Sequence, residues 1–202
     1  MPDTDRLATV LRRSFLGGLG AAAGGAALIG KQGLAAAAEE PAVVGPGPIS
    51  IMLNVNGMAR PVRVEPCATL AEALRGPLDL TGTKIGCDRG SCSACTVLLD
   101  GAPVASCMLL AVDVGSRTVT TIEGLAQGDA LHPVQEAFIE HDAMQCGYCT
   151  PGMVLSSAAL LSRTPQPTEE QVRAAISGHI CRCGSYPHVV EAVLAASEAG
   201  KA

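Results

Sequence analysis

Apolar and polar positions alternate imperfectly from Ile49 through Ile-Ser-Ile-Met-Leu-Asn-Val, break at Asn56-Gly57, and resume as Pro-Val-Arg-Val. A period of two on either side of Asn-Gly predicts a β-hairpin closed by a type I′ turn. Thr69 followed by Glu72 has the capping-box pattern that opens a short helix, running to about Arg75. Asp100-Gly101 after Thr96-Val-Leu-Leu marks a second hairpin, and Ser116 to Ile122 reads as one more β-rich run. The order strand, strand, helix, Gly-rich loop, strand, strand suits a small α+β sheet domain with a helix against one face, placed at 49–123.

Beyond about Gly128 the pattern changes to helix starts. Pro133 follows His132, Pro151 follows Thr150, Thr168 with Gln171 repeats the capping box, and Pro187 follows Tyr186. Four starts predict four short helices packed as a compact bundle over 129–200, joined to the sheet domain by a linker near 124–128. Val154, Leu155, Ala158, Ala159 and Leu161 make one of these helices largely buried.

The N-terminal region has a different texture. Arg12-Arg13 precedes an uncharged run from Ser14 to Gly30 that contains six glycines and ends at Lys31. That is shorter and less apolar than the roughly 20 residues a membrane-spanning helix needs. The pair of arginines, the weakly hydrophobic segment and the small residues Ala35 to Ala38 resemble a twin-arginine signal peptide over 1–38, with cleavage after Ala38 and a periplasmic destination. Residues 39–48 are rich in Pro and Gly and read as a linker.

Charge and composition then narrow the function. Fourteen Lys and Arg against nineteen Asp and Glu give −5, and loss of residues 1–38 would leave −7. An acidic chain with 2% aromatic residues has neither the basic footprint nor the stacking surface of a nucleic-acid binder. The informative excess is nine cysteines. Cys87, Cys92, Cys95 and Cys107 follow the x4, x2 spacing of plant-type 2Fe-2S proteins, among Gly82, Gly86 and Gly90. Three thiolates from one short loop must wrap a cluster, and loop N–H groups, with Lys84 and Arg89 near in sequence, are placed to face the sulfurs. Cys146, Cys149, Cys181 and Cys183 form a second group of four, each pair just ahead of a predicted helix start, where free N–H groups favour thiolates. Four thiolates there would also suit zinc.

These stretches carry a family resemblance. Leu80-Thr-Gly-Thr-Lys-Ile-Gly-Cys-Asp-Arg-Gly-Ser-Cys-Ser-Ala-Cys-Thr-Val, Gln145-Cys-Gly-Tyr-Cys-Thr-Pro-Gly and Ile180-Cys-Arg-Cys-Gly resemble the two-cluster iron–sulfur subunit of molybdenum hydroxylases, the xanthine oxidase and aldehyde oxidoreductase family. With the export signal, the chain is most similar to the small subunit of a bacterial periplasmic aldehyde oxidoreductase. The resemblance implies a plant-ferredoxin-like (β-grasp) sheet domain followed by an all-α four-helix 2Fe-2S-binding domain. It implies two 2Fe-2S clusters on the eight cysteines, a partner large subunit holding a molybdenum-pterin cofactor, and an FAD subunit or other acceptor, in a heterotrimer or larger hetero-oligomer. Electrons would pass from the pterin to the cluster on Cys146, Cys149, Cys181 and Cys183, then to the one on Cys87, Cys92, Cys95 and Cys107, with no substrate chemistry on this chain. Gln145 and Cys183 match the positions that approach the pterin. Ser93 stands where the family usually has glycine, which strains the loop or adds a hydroxyl near the cluster.

Other readings are a free-standing two-cluster ferredoxin-type carrier, and an exported scaffold held by disulfides or zinc. Cys67 lies outside both groups and reads as a small buried hydrophobe. Glu136, Glu140 and Asp142 read as a solvated helix face. His132, His141, His179 and His188 read as helix-end or surface residues, and the methionines as core or interface filler.

Overall fold

The structure is a computed structural model that describes residues 46–199. The signal-peptide reading, with Arg12, Arg13 and Ala38, and residues 39–45 of the linker lie outside the described residues.

Strand β1 (Ile49–Val55) pairs antiparallel with β2 (Met58–Val64) in full register, from Ile49 opposite Val64 to Val55 opposite Met58. The turn between them has positive φ at both Asn56 (53°) and Gly57 (75°), as type I′ geometry requires. Helix α1 (Leu70–Arg75) is opened by a complete capping box, in which the Glu72 N–H donates to Thr69 Oγ1 at 3.2 Å and the Thr69 N–H donates to Glu72 Oε2 at 2.7 Å. Strands β3 (Thr96–Leu99) and β4 (Ala102–Ala105) make the second hairpin.

Strand β5 (Thr118–Thr120) is only three residues long, where the β-rich run is Ser116 to Ile122. It is cut short because the Thr121 N–H turns to the Asn56 side-chain oxygen at 2.9 Å and Ile122–Gly124 then coils into a 3-10 turn. β5 lies between β1, to which it is parallel, and β3, to which it is antiparallel, giving the sheet order β2-β1-β5-β3-β4. Leu53, Val55, Val62, Val64, Val97, Leu99 and Val119 from one sheet face meet Leu70 and Leu74 of α1 in one core.

Four helices follow: α2 (Pro133–Glu140), α3 (Thr150–Arg163), α4 (Glu169–Ile176) and α5 (Tyr186–Ala199). Two have eight residues, but α3 and α5 run for fourteen, longer than the short helices expected. A second core of Val134, Phe138, Met153, Val154, Val172, Ile176, Val189 and Val193 joins them. Every residue of α3 from Gly152 to Ala159 is buried, the two serines included. The reason is that α3 serves both halves: Leu155 and Ala159 pack on Leu98 of β3, while Met153, Val154 and Ala158 face the helical core. Strand β3 is consequently buried on both faces. Ile122 and Leu125 pack against the same surfaces, so 124–128 begins as part of the junction rather than as a free linker. The fold is thus a ferredoxin-like mixed sheet followed by a helical 2Fe-2S-type domain. Among the described residues no helix is long and apolar enough to cross a membrane.

Cys67 is exposed, not buried. It sits in a tight turn closed by the Ala68 N–H to the Glu65 carbonyl at 2.9 Å, which leaves Ala68 to pack against the core in its place. Of the methionines, Met153 is core, whereas Met52, Met58, Met108 and Met144 are about half exposed or more.

Candidate metal centres

The loop from Gly86 to Cys95 carries three cysteines between α1 and β3, and Cys107 enters from the 3-10 turn after β4. Its tight path depends on close approach at Gly86, where a Cβ would lie 3.1 Å from Cys92 Sγ, and on left-handed backbone at Gly90, φ 71°. Backbone N–H groups point inward. The Cys87 N–H donates to Cys92 Sγ at 3.4 Å, Gly90 to Cys107 Sγ at 3.4 Å, and Ser91 to Cys87 Sγ at 3.2 Å. Such donors stabilise thiolates and an anionic cluster. Arg89 turns its Nε to the Cys87 carbonyl, and Lys84 gives its ammonium to the Thr81 carbonyl.

In the second group, Cys149 is the N-cap of α3, and Cys181 and Cys183 precede α5. The helix N-terminus at Cys149 works in favour of a thiolate, but burial outweighs it. Cys181 Sγ lies 3.3 Å from Ser185 Oγ, and its N–H donates to the Tyr186 hydroxyl, which in turn donates to the His179 carbonyl. Gln145, Cys146 and Cys183 are exposed, flanked in sequence by the exposed apolar side chains of Met144, Tyr148 and Ile180.

Thiols meet in pairs. Cys87 lies beside Cys92 and Cys107 beside Cys95, with Cys87 near enough to Cys107 to disfavour its thiolate. Cys149 lies beside Cys181 and Cys183 beside Cys146, and the neighbouring pair again disfavours the thiolate. All nine cysteines are free, which removes the disulfide framework. Two pairs per group is the arrangement a 2Fe-2S cluster takes, each iron held by two thiolates.

Protonation also separates the thiols within each group. Hydrogen bonding from the Arg89 backbone and Cys92 lowers Cys87 to about 7. At Cys181, burial pushes the thiol up, but hydrogen bonds from Ser185 outweigh it and bring the value to about 7. Burial pushes Cys107 up to about 11 and Cys149 up to about 12. Each group therefore offers one thiol that ionises near neutral pH and one buried thiol held protonated, whose proton a bound metal would displace.

The two groups abut. The Ile180 N–H, next to Cys181, donates to the Cys92 carbonyl at 3.1 Å, and the Tyr148 hydroxyl donates to the Ile85 carbonyl at 2.5 Å. His179 is 4% exposed, its Nε2 lies 2.8 Å from Ser156 Oγ of α3, and burial lowers its pKa to about 4. This corrects the helix-end or surface reading of that histidine. His132 caps α2, with His141 at the other end of that helix and His188 exposed. Glu136, Glu140 and Asp142 are exposed, as expected of a solvated face. The bridge from Tyr148 to the first loop, and the bracing of the second loop by Tyr186, escaped sequence reasoning, although a signal exists: both tyrosines of this aromatic-poor chain fall beside cysteine motifs.

Comparison with known proteins agrees with this geometry. Residues 53–122 match the 2Fe-2S iron-sulfur cluster binding domain family and residues 121–194 match the 2Fe-2S binding domain family. The nicotine 6-hydroxylase small subunit of Paenarthrobacter nicotinovorans is 49% identical over 146 residues, 72% of this chain and 88% of that protein. The aldehyde oxidoreductase iron-sulfur-binding subunit PaoA of Escherichia coli O157:H7 is 40% identical over 198 residues, covering 91% of this chain and 86% of its own. Quinoline 2-oxidoreductase from Pseudomonas putida 86 superimposes with a TM-score of 0.73 at 43% identity, over 76% of this chain and 96% of that one. In the aldehyde oxidoreductase of Desulfovibrio desulfuricans ATCC 27774, the matching part is 17% of a longer chain, with TM-score 0.72 and 44% identity over 75% of this one.

Fold and site together define a two-domain protein for two 2Fe-2S clusters. The chain belongs to the family of iron–sulfur small subunits of molybdenum hydroxylases, and its role is that of an electron-transfer subunit in an oxidoreductase complex.

Proposed function

We propose that this chain is the electron-transfer subunit of a periplasmic aldehyde oxidoreductase. Cys87, Cys92, Cys95 and Cys107 hold one 2Fe-2S cluster, and Cys146, Cys149, Cys181 and Cys183 hold the other. A cluster bound at either place supplies one-electron storage and release. The chain's own residues do the rest. Gly90 and Ser91 N–H groups, and that of Cys87, offset negative charge on the sulfurs, and the abutting loops at Cys92 and Ile180 join the two sites through one hydrogen bond. That 3.1 Å contact between the groups is the observation that carries the reading.

Gln145 and Cys183, exposed on the second group, face the molybdenum-pterin of a separate large subunit, and the first group passes electrons to an FAD subunit or another acceptor. The whole is a heterotrimer or larger hetero-oligomer. The choice of aldehyde oxidoreductase and of export rests on Arg12-Arg13 and on the likeness to PaoA, which takes up a larger share of this chain than residues 46–199 can supply. Twin-arginine export carries folded cargo, which suits clusters inserted before transport.

The test is native purification with metal analysis, low-temperature EPR after stepwise reduction, and fractionation. About four iron and four labile sulfide per chain, two distinct 2Fe-2S signals and co-eluting molybdenum are expected. A monomer with both signals but no molybdenum would instead identify a free carrier, and zinc would overturn electron transfer. Arg12→Lys with Arg13→Lys should hold the chain in the cytoplasm, and periplasmic recovery of that variant would refute the export reading.

A further inference from the structure

The structure assigns His179 a part in communication between the two cysteine groups. Resting on their assignment as cluster sites, we propose that His179 is a positioning residue that sets the approach of the loop carrying Cys92 and Cys95 to the loop carrying Cys181, and with it the coupling between the two clusters.

Its surroundings come from both halves of the protein. Nε2 meets the Ser156 hydroxyl of α3 at 2.8 Å. Nδ1 faces the backbone of Ser93, between Cys92 and Cys95, without closing a hydrogen bond of ordinary geometry. Nothing larger than hydrogen fits at Gly152 of α3, where a Cβ would stand 2.6 Å from the Ser93 carbonyl oxygen and 3.0 Å from His179 Cε1. At Gly178 a Cβ would lie 3.2 Å from Ser93 Oγ, and one residue beyond the histidine Ile180 donates to Cys92. Residues 178–180 therefore run against 92–93, with the imidazole between that contact and α3. A buried imidazole costs stability unless its polar atoms are used, and an apolar side chain would pack in such a place without that cost. An imidazole offers what an apolar side chain cannot: with the proton on Nδ1, Nε2 accepts from Ser156 of α3 while Nδ1–H is directed toward the Ser93 backbone. Groups behind metal ligands orient them in this manner.

Magnetic coupling between two reduced clusters falls steeply with their separation and depends on their orientation, so it reads this geometry directly. The cluster-loaded full chain is compared with His179→Ala, His179→Gln, Ser156→Ala and the packing control Val62→Ala in the sheet core on β2, by iron content and by EPR of the fully reduced state. The measured quantities are spin–spin splitting and the microwave-power saturation of each signal. His179→Ala and Ser156→Ala are expected to alter or lose the splitting, and His179→Gln, whose amide can both accept and donate, to restore it. Val62→Ala should lower stability with the splitting intact. Unchanged splitting in Ser156→Ala, which removes only a hydroxyl, together with unchanged splitting in His179→Ala or loss of its iron, overturns the inference alone. A wild-type chain without two 2Fe-2S signals overturns the function reading and takes this inference with it.

Discussion

Gly152→Ala sets two physical effects against each other. Alanine in a helix is favoured over glycine by up to about 1 kcal/mol, less in a first turn, so propensity alone predicts stabilisation. The new Cβ, however, would sit 2.6 Å from the Ser93 carbonyl oxygen, a backbone atom that cannot rotate away, and 3.0 Å from His179 Cε1. Carbon and carbonyl oxygen meet comfortably at roughly 3.3 Å, so helix and loop must separate by more than half an ångström, the scale of overpacking that costs about 1–3 kcal/mol. Contact wins, by about 1–2 kcal/mol net. For a folded part of this size that lowers Tm by roughly 2–8 °C. The assay is a thermal melt of the cluster-loaded chain at one scan rate, followed in parallel by far-UV and visible circular dichroism. Because Ser93 lies between Cys92 and Cys95, the visible spectrum should change at temperatures where the chain is still folded. Gly115→Ala is the control: it has φ 60° and nothing within 4 Å, so it should lower Tm through backbone strain while leaving the visible spectrum as it was. A Tm for Gly152→Ala equal to or above wild type would refute the contact between α3 and the first cysteine loop.

Three further outcomes are expected. Leu155→Ala, which empties a fully buried site between α3 and Leu98, should cost about 2–5 kcal/mol and unfold sheet and helices in one transition, and separate transitions in a calorimeter would contradict the shared core. Burial depresses the pKa of His132, whose Nδ1 accepts the Val134 N–H as the cap of α2, so its contribution is present above about pH 6.5 and lost as pH falls through its folded value. Loss of that cap is worth about 1 kcal/mol, and His132→Ala should flatten this part of the acid side of a stability profile. The native cluster-loaded chain should react with one equivalent of maleimide, at exposed Cys67, and additional equivalents appearing without metal loss would show that some of the other eight cysteines are not ligands.

What the sequence determined by itself is local. Asn56-Gly57 and Asp100-Gly101 give their hairpins because positive φ at two successive residues is a property of those residues. Thr69 with Glu72 and Thr168 with Gln171 cap helices because the bonds close within four residues. The cysteine spacings, likewise, state which thiols a short loop can bring to one cluster. Tertiary structure decided whatever depends on distant partners. Strand β5 ends early because Asn56 captures Thr121, and it lies parallel to β1 because a sheet position is chosen by the strands on either side. Cys67 faces water because Ala68 occupies the core beside it, and α3 is buried all round because both halves need it. The links between the two cysteine groups, from Ile180 to Cys92 and from Tyr148 to Ile85, with His179 on Ser156 beside the first, join residues far apart in sequence. No local pattern encodes such a contact, since it exists only once two cores have packed on a common helix.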